Sequence, residues 1–260
     1  MTTPSAPRGS LAKDVAVVTG AGVGIGRAIA VKLAGDGAAV LINDLDGDQA
    51  SRVASEIRAD GGRCEAMAGD ASDLDTVREL ADAAVERFGK LTLLAANAGM
   101  TLWSPFLDTA PDDFDRLLEL NLRGTYFLAQ AAARRMVDGG WAGAFVLTSS
   151  IAGRVGYPGL AAYGMTKLAV ESLARTLAVE LAPHAIRVNA VAPGHTLVPR
   201  NVAEDPDYAT RWAALPPSGR VATPEDIADA VAFLLSPASE QIRGQTLLVD
   251  GGWSIRGSMS

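Results

Sequence analysis

The stretch VVTGAGVGIGRAIA, residues 17–30, decides the fold. Its first part closes the apolar run VAVVTG (15–20), the mark of a strand buried on both faces. Its second part opens a helical stripe in which Ile25, Ile29 and Leu33 recur at helical spacing. Between the two stand Gly20, Gly24 and Gly26. Glycines there permit a tight strand-to-helix turn and let the backbone approach a diphosphate, which rests on the helix N-terminus.

Working outward, the same alternation repeats. AAVLIND (38–44), RCEAMAGD (63–70), LTLLAANAG (91–99), GAFVLTSS (143–150), IRVNAVAPG (186–194) and GQTLLVDGG (244–252) read as further strands. Helical stripes lie between them, including a long region from Pro111 to about Val137 and another from about Gly156 to Leu181. Thr223 and Pro224 mark the start of a later helix as N-cap and first turn. Repeated strand–helix units predict an α/β fold of Rossmann type: a doubly wound parallel sheet of about seven strands, with helices on both faces. One domain over 11–260 is expected, after a disordered tail at 1–10. Residues 195–219, with Pro199, Pro206, Pro216 and Pro217, break the rhythm and predict an excursion from the sheet.

The formal net charge is −7, against a dedicated nucleic-acid or anionic-membrane surface. No apolar stretch is long enough to cross a bilayer, and no signal-peptide pattern opens the chain. The single cysteine, Cys64, excludes an internal disulfide and fits a cytoplasmic location. Only His184 and His195 are present, and no His/Cys cluster has metal-ligand spacing, so no metal site is expected.

Candidate site residues gather at strand ends. Asp44 ends the second strand, where a carboxylate accepts both ribose hydroxyls of NAD and repels the 2′-phosphate of NADP. NAD is therefore the expected cofactor. Ser150 ends the fifth strand, and AAYGMTKLAV (161–170) places Tyr163 and Lys167 one helical turn apart. Reducing a ketone needs a hydride on carbon and a proton on oxygen. A tyrosine supplies that proton, or removes one in reverse, and a neighbouring ammonium favours the phenolate. A serine hydroxyl orients the substrate oxygen.

These motifs together resemble the short-chain dehydrogenase/reductase family. Thr19, Gly20, Gly24 and Gly26 match its T-G-x-x-x-G-x-G loop, and Ser150, Tyr163 and Lys167 match its S-x(12)-Y-x-x-x-K pattern. ANAG (96–99) resembles its N-N-A-G motif with Ala96 in place of the first Asn, and the likeness runs through RVNAVAPG (187–194) to the C-terminal strand. The resemblance implies a catalytic tetrad of Asn121, Ser150, Tyr163 and Lys167, with Asn121 holding a water in a proton relay to Lys167. It implies cofactor contacts from Gly20, Val23, Gly24, Ile25 and Gly26 in the loop, and from Asp44, Leu45, Asp70 and Ala71 after the next two strands. Further contacts are implied from Asn97, Ala98, Gly99, Tyr163, Lys167, Pro193, Gly194, Thr196 and Val198. Val198 stands where relatives usually carry Thr, and Thr196 or backbone groups are its expected substitutes. A homotetramer is implied as well.

Leu197, Val198, Trp212 and Leu215 in the excursion are lid or pocket candidates, facing Met100, Thr101, Leu102 and Trp103 on the other wall. Tyr157 is either a pocket residue or the start of the helix, and His195 stands near the expected nicotinamide. The final segment, GGWSIRGSMS, could shape a neighbouring subunit's pocket. The expected activity is NAD(H)-dependent interconversion of a non-charged secondary alcohol and ketone. Alternatives are a non-catalytic dinucleotide-binding protein on the same fold, a reductase preferring NADPH, and enoyl reduction. That last branch typically separates its Tyr and Lys more widely.

Overall fold

A computed structural model describes residues 11–255; the expected tail at 1–10 lies outside them. The strands are β1 (Val15–Thr19), β2 (Ala39–Asp44), β3 (Arg63–Ala68), β4 (Leu93–Ala96), β5 (Gly143–Thr148), β6 (Ile186–Pro193) and β7 (Thr246–Val249). They form one parallel sheet in the order β3-β2-β1-β4-β5-β6-β7. The direction of winding reverses between β1 and β4, and a ligand crevice opens outside the strand C-termini at such a switch point.

The helices on one face are α1 (Gly24–Gly35), α2 (Gly47–Ala59) and α9 (Pro224–Leu235). Their Ile29, Leu33, Val53, Ile57, Ile227 and Val231 pack on Val18, Val40 and Ile42 of the sheet. The opposite face is covered by α3 (Leu74–Phe88), α5 (Thr125–Gly139) and α6 (Ala161–Glu180), which bury Val77, Leu80, Leu128, Met136, Val170 and Ala174 on Val17, Leu41, Leu94, Phe145 and Val188. Strands β1 and β6 are buried throughout, as their unbroken apolar runs require.

Three local features differ from the sequence-based expectation. The long helical region is α4 (Pro111–Leu118) joined to α5 by a widened π segment, Glu119–Gly124, which contains Asn121. Next, α6 starts at Ala161 rather than near Gly156, because Gly159 takes a left-handed φ of +81° just ahead of it. The excursion folds into two short helices, α7 (Pro199–Glu204) and α8 (Tyr208–Trp212). A parallel bridge between Thr196 and Ala222 ties its two ends together, with Leu197 N–H donating to the Ala222 carbonyl and Ala222 N–H to the His195 carbonyl.

Candidate active site

The glycine turn is held by side chains at neighbouring strand ends. The Thr19 hydroxyl accepts the N–H groups of Asn97 and Ala98, both at 3.1 Å. The Asn97 amide donates to the carbonyls of Thr19 (3.1 Å) and Gly20 (3.3 Å). Gly20 itself has a φ of +62°, and a Cβ at Gly26 would run into the Gly20 carbonyl. Side-chain-free backbone is therefore a steric requirement here. Asp44 closes the turn from β2: its Oδ2 accepts the Gly22 N–H at 2.7 Å and its Oδ1 the Asp46 N–H at 3.1 Å.

A cleft of about 310 Å³ runs from this turn along the sheet edge. Val23, Gly24, Ile25 and Gly26 form one end, Asn97, Gly99 and Met100 the floor, and Pro193, Gly194, Thr196 and Val198 the opposite wall. The first turn of α1 carries no acidic residue, so a diphosphate arriving there meets backbone N–H groups with no carboxylate on the helix start itself. The residues fit a dinucleotide. Val198 packs within 3.4 Å of the position a Gly24 Cβ would take, so its methyls cap the glycine turn. The Thr196 hydroxyl donates to the Gly194 carbonyl at 3.0 Å, and Thr196 is buried. Gly20, Asp44, Leu45, Asp70, Ala71 and Ala98 stand outside the walls of this cleft. Leu45 is 75% exposed beside Asp44. Asp70 is exposed, with its Oδ1 accepting from the Ser72 N–H and hydroxyl.

Ser150, Tyr163 and Lys167 converge on the other end of the cleft. The Lys167 side chain is buried; its Nζ donates to the Thr148 carbonyl at 3.0 Å and lies 5.6 Å from the centre of the Tyr163 ring. The Ser150 hydroxyl oxygen accepts the Ala152 N–H at 3.2 Å. Its neighbour Ser149 points inward instead, with its hydroxyl 2.9 Å from the Lys167 carbonyl and 3.1 Å from Glu171 Oε1. Glu171 is buried and also accepts from the Arg154 guanidinium. Asn121 is fully buried. Its Oδ1 accepts the Met100 N–H at 2.9 Å, and its Nδ2 lies 2.9 Å from the Met100 carbonyl and 3.2 Å from the Thr166 hydroxyl. The side chain thus staples the loop after β4 onto α6, and Gly99 sits against both Asn121 Oδ1 and Lys167 Nζ.

Ser150 and Tyr163 also belong to a second cavity, of about 260 Å³, that opens beside the first. Thr101, Trp103, Tyr157, His195 and Trp212 line it, as do Arg200, Glu204, Asp205 and Tyr208 from the excursion. Tyr157 is a wall residue and not part of α6. Leu102, Leu197 and Leu215 do not line this cavity. Trp253, from the C-terminal segment, lies 5.2 Å from both Tyr157 and His195, two of the residues that line the cavity. Sequence reading missed Tyr208 and Arg200. Tyr208 and Trp212, four apart among prolines, carried the signal of one aromatic helix face. Burial lowers the His195 pKa, favouring the neutral imidazole, and pushes the Tyr208 phenol up to about 12. Cys64, remote from both cavities, is buried and its thiol is likewise raised to about 12.

A family model described as enoyl-(acyl carrier protein) reductase matches residues 20–254. The chain is 41% identical over 242 residues to an L-rhamnose 1-dehydrogenase (NAD(P)(+)) of Sphingomonas, covering 92% of this chain and 95% of the relative. The chain belongs to the short-chain dehydrogenase/reductase family. This short-chain dehydrogenase/reductase is also 39% identical to the versicolorin reductase of Emericella nidulans over 254 residues, 92% of this chain and 94% of the other. A solved short-chain dehydrogenase/reductase from Mycobacterium marinum superposes with a TM-score of 0.90 at 34% identity, covering 95% of this chain and 97% of that one. The protein is thus an oxidoreductase of a family that uses nicotinamide cofactors. Among the described residues, no cluster of His, Cys, Asp and Glu could hold a metal ion, and no helix is long and apolar enough to cross a membrane.

Proposed function

We propose that the protein interconverts a secondary alcohol and a ketone by hydride transfer with NAD(H), using Tyr163 as general acid and base. The observation that carries this is that Ser150 and Tyr163 line both cavities, with Lys167 Nζ 5.6 Å from the centre of the Tyr163 ring. When bound, the dinucleotide supplies or accepts the hydride. The Tyr163 phenol gives its proton to the nascent alkoxide, or takes one from the alcohol. Ser150 already accepts at its oxygen, so its hydrogen is left to donate to the substrate oxygen and orient it. Lys167 holds positive charge beside the phenol. Asn121 is proposed to hold a water in a proton relay to Lys167, while its side chain, engaged by Met100 and Thr166, fixes the cleft floor.

NAD preference is supported by Asp44. Backbone N–H groups use two of the roughly four lone-pair sites of its carboxylate, leaving two for ribose hydroxyls. A 2′-phosphate would meet the same negative charge. Leu45, Asp70 and Ala71 are proposed to border the adenosine end. A homotetramer is also proposed. Exposed apolar side chains on α5 and α6, among them Tyr126, Met165, Leu168 and Val179, support self-association, which analytical ultracentrifugation tests.

The deciding experiment compares kcat/KM with NAD+ and NADP+ across secondary alcohols, cyclic diols and sugars, and with the reduced cofactors across ketones. One relative is named a dehydrogenase and another a reductase, so both directions belong in the panel. Higher kcat/KM with NAD(H) is expected, and a clear NADP(H) preference refutes the role given to Asp44. NADH binding without turnover of any substrate favours a non-catalytic dinucleotide binder. Faster turnover of an α,β-unsaturated acyl substrate than of its keto counterpart favours enoyl reduction.

A further inference from the structure

The substrate cavity holds a polar pair that the proton chemistry does not use. The Tyr157 hydroxyl, from the segment between β5 and α6, lies 3.0 Å from His195 Nε2, at the start of the excursion. The pair is embedded in aromatic surface. Trp212 stacks on His195 at 4.3 Å and 19°, Tyr208 lies 6.2 Å from the same ring, and Trp103 meets Tyr157 edge-on at 6.4 Å. Both members line the same cavity as Ser150 and Tyr163. Burial disfavours the charged form of each, raising the Tyr157 phenol and lowering His195.

A neutral phenol–imidazole pair is amphoteric. If Nε2 carries the hydrogen and donates to the phenol, the Tyr157 hydroxyl is left to donate to a ligand. If the phenol donates, its oxygen is left to accept. The charges at the rim do not ask for an ionic ligand: Arg200 lies 3.6 Å from Glu204 and donates to the Thr101 hydroxyl, while Asp205 pairs with Arg211 at 3.3 Å. The cavity of about 260 Å³ is the bulk of about nine waters, enough for a small ring compound.

We propose that Tyr157 and His195 read a second oxygen on the substrate, so that the substrate class is a neutral ring alcohol or ketone bearing a further hydroxyl or carbonyl. This rests on the alcohol–ketone reading of the site. A site built to hydrogen-bond such a group discriminates against the analogue lacking it, because its own polar groups are then left unpaired.

The test measures kcat/KM with NAD+ for cyclohexanol and for the 1,2-, 1,3- and 1,4-cyclohexanediols, using the wild type, Tyr157→Phe and His195→Phe. His195→Gln serves as the conservative variant, retaining a side-chain partner for the phenol. The wild type should favour at least one diol by about tenfold, the worth of one neutral hydrogen bond. Both Phe variants should lower that ratio to near one, mainly through KM, and Gln should restore part of it. Absence of a wild-type preference for any diol, or a ratio that survives in Tyr157→Phe, overturns the proposal and leaves the redox reading standing. If no alcohol or ketone is turned over with either nucleotide, the redox reading falls and takes this inference with it.

Discussion

Lys167 Nζ sits between the Thr148 carbonyl, 3.0 Å away, and the Tyr163 ring, whose centre is 5.6 Å away. The ammonium is thus fixed by the end of β5 as well as by its own helix, and the phenol inherits that position. Tyr163→Phe should lower kcat by about 10²-fold or more while leaving NADH affinity, read by fluorescence titration, nearly intact. Substantial remaining turnover would reassign the proton donor. Lys167→Met should also lose turnover, and wild-type rates there would remove the ammonium from the chemistry.

Asn121 also contributes through the Met100 backbone. Asn121→Ala would strip partners from both the N–H and the carbonyl of Met100, at a cost of about 2 kcal/mol. For a domain of this size, that is a fall in melting temperature of roughly 5 °C. Calorimetry of the two proteins checks it, and an unchanged melting temperature would show that the staple carries no stability.

Gly26 packs against the Gly20 carbonyl with no room for a methyl group. Gly26→Ala should therefore displace the turn and abolish nucleotide binding by isothermal titration. Circular dichroism reports whether the sheet survives the change. Retained NADH affinity would mean that the cofactor does not rest on this turn.

The N-terminus of α9 carries a capping box in which the Thr223 side chain accepts the Asp226 N–H and the Asp226 carboxylate accepts the Thr223 N–H. The Arg220 guanidinium, and next the Thr223 N–H, lower the Asp226 pKa from 3.8 to about 2. The folded pKa lies below the unfolded one, so the unfolded chain takes up the proton first. The stabilisation is complete above about pH 4 and is lost as the pH falls towards 2. Urea melts at pH 7 should show Thr223→Ala costing about 1 kcal/mol. Asp226→Asn should flatten the acid limb of stability, and an acid limb as steep as in the wild type would assign it to other carboxylates.

Much of this architecture is local in origin, and the local parts were legible. The glycine turn announces itself because an apolar strand, three glycines and a helical stripe follow one another without a gap. Tyr163 and Lys167 share a helical turn, so their meeting needs no tertiary knowledge. Ser150 is favoured over its neighbour Ser149 by its spacing to Tyr163, which matches the family pattern, and by the IAG that follows it. The structure adds the physical reason, since Ser149 is spent on the Lys167 carbonyl and Glu171. What remained hidden depends on long-range packing or on small departures from ideal geometry. The π segment around Asn121 continues an apolar periodicity that looks like uninterrupted helix. Tyr157 resembled a helix start because the left-handed turn at Gly159 does not disturb the hydrophobic pattern. Trp253 reaches Tyr157 and His195 only once the sheet has brought the C-terminal segment beside the loop after β6.

The bridge between Thr196 and Ala222 has an engineering consequence. It pins the two ends of the excursion to each other beside the strand tips, and between them Val198 and Arg220 add anchors on the glycine turn and on the α9 cap. Rewriting the interior of the excursion, in length or in chemistry, adds little closure entropy and does not ask the sheet to move. Grafts confined to the part that carries Tyr208 and Trp212, with Val198 and Arg220 kept, are therefore the natural route to new substrate ranges on this scaffold.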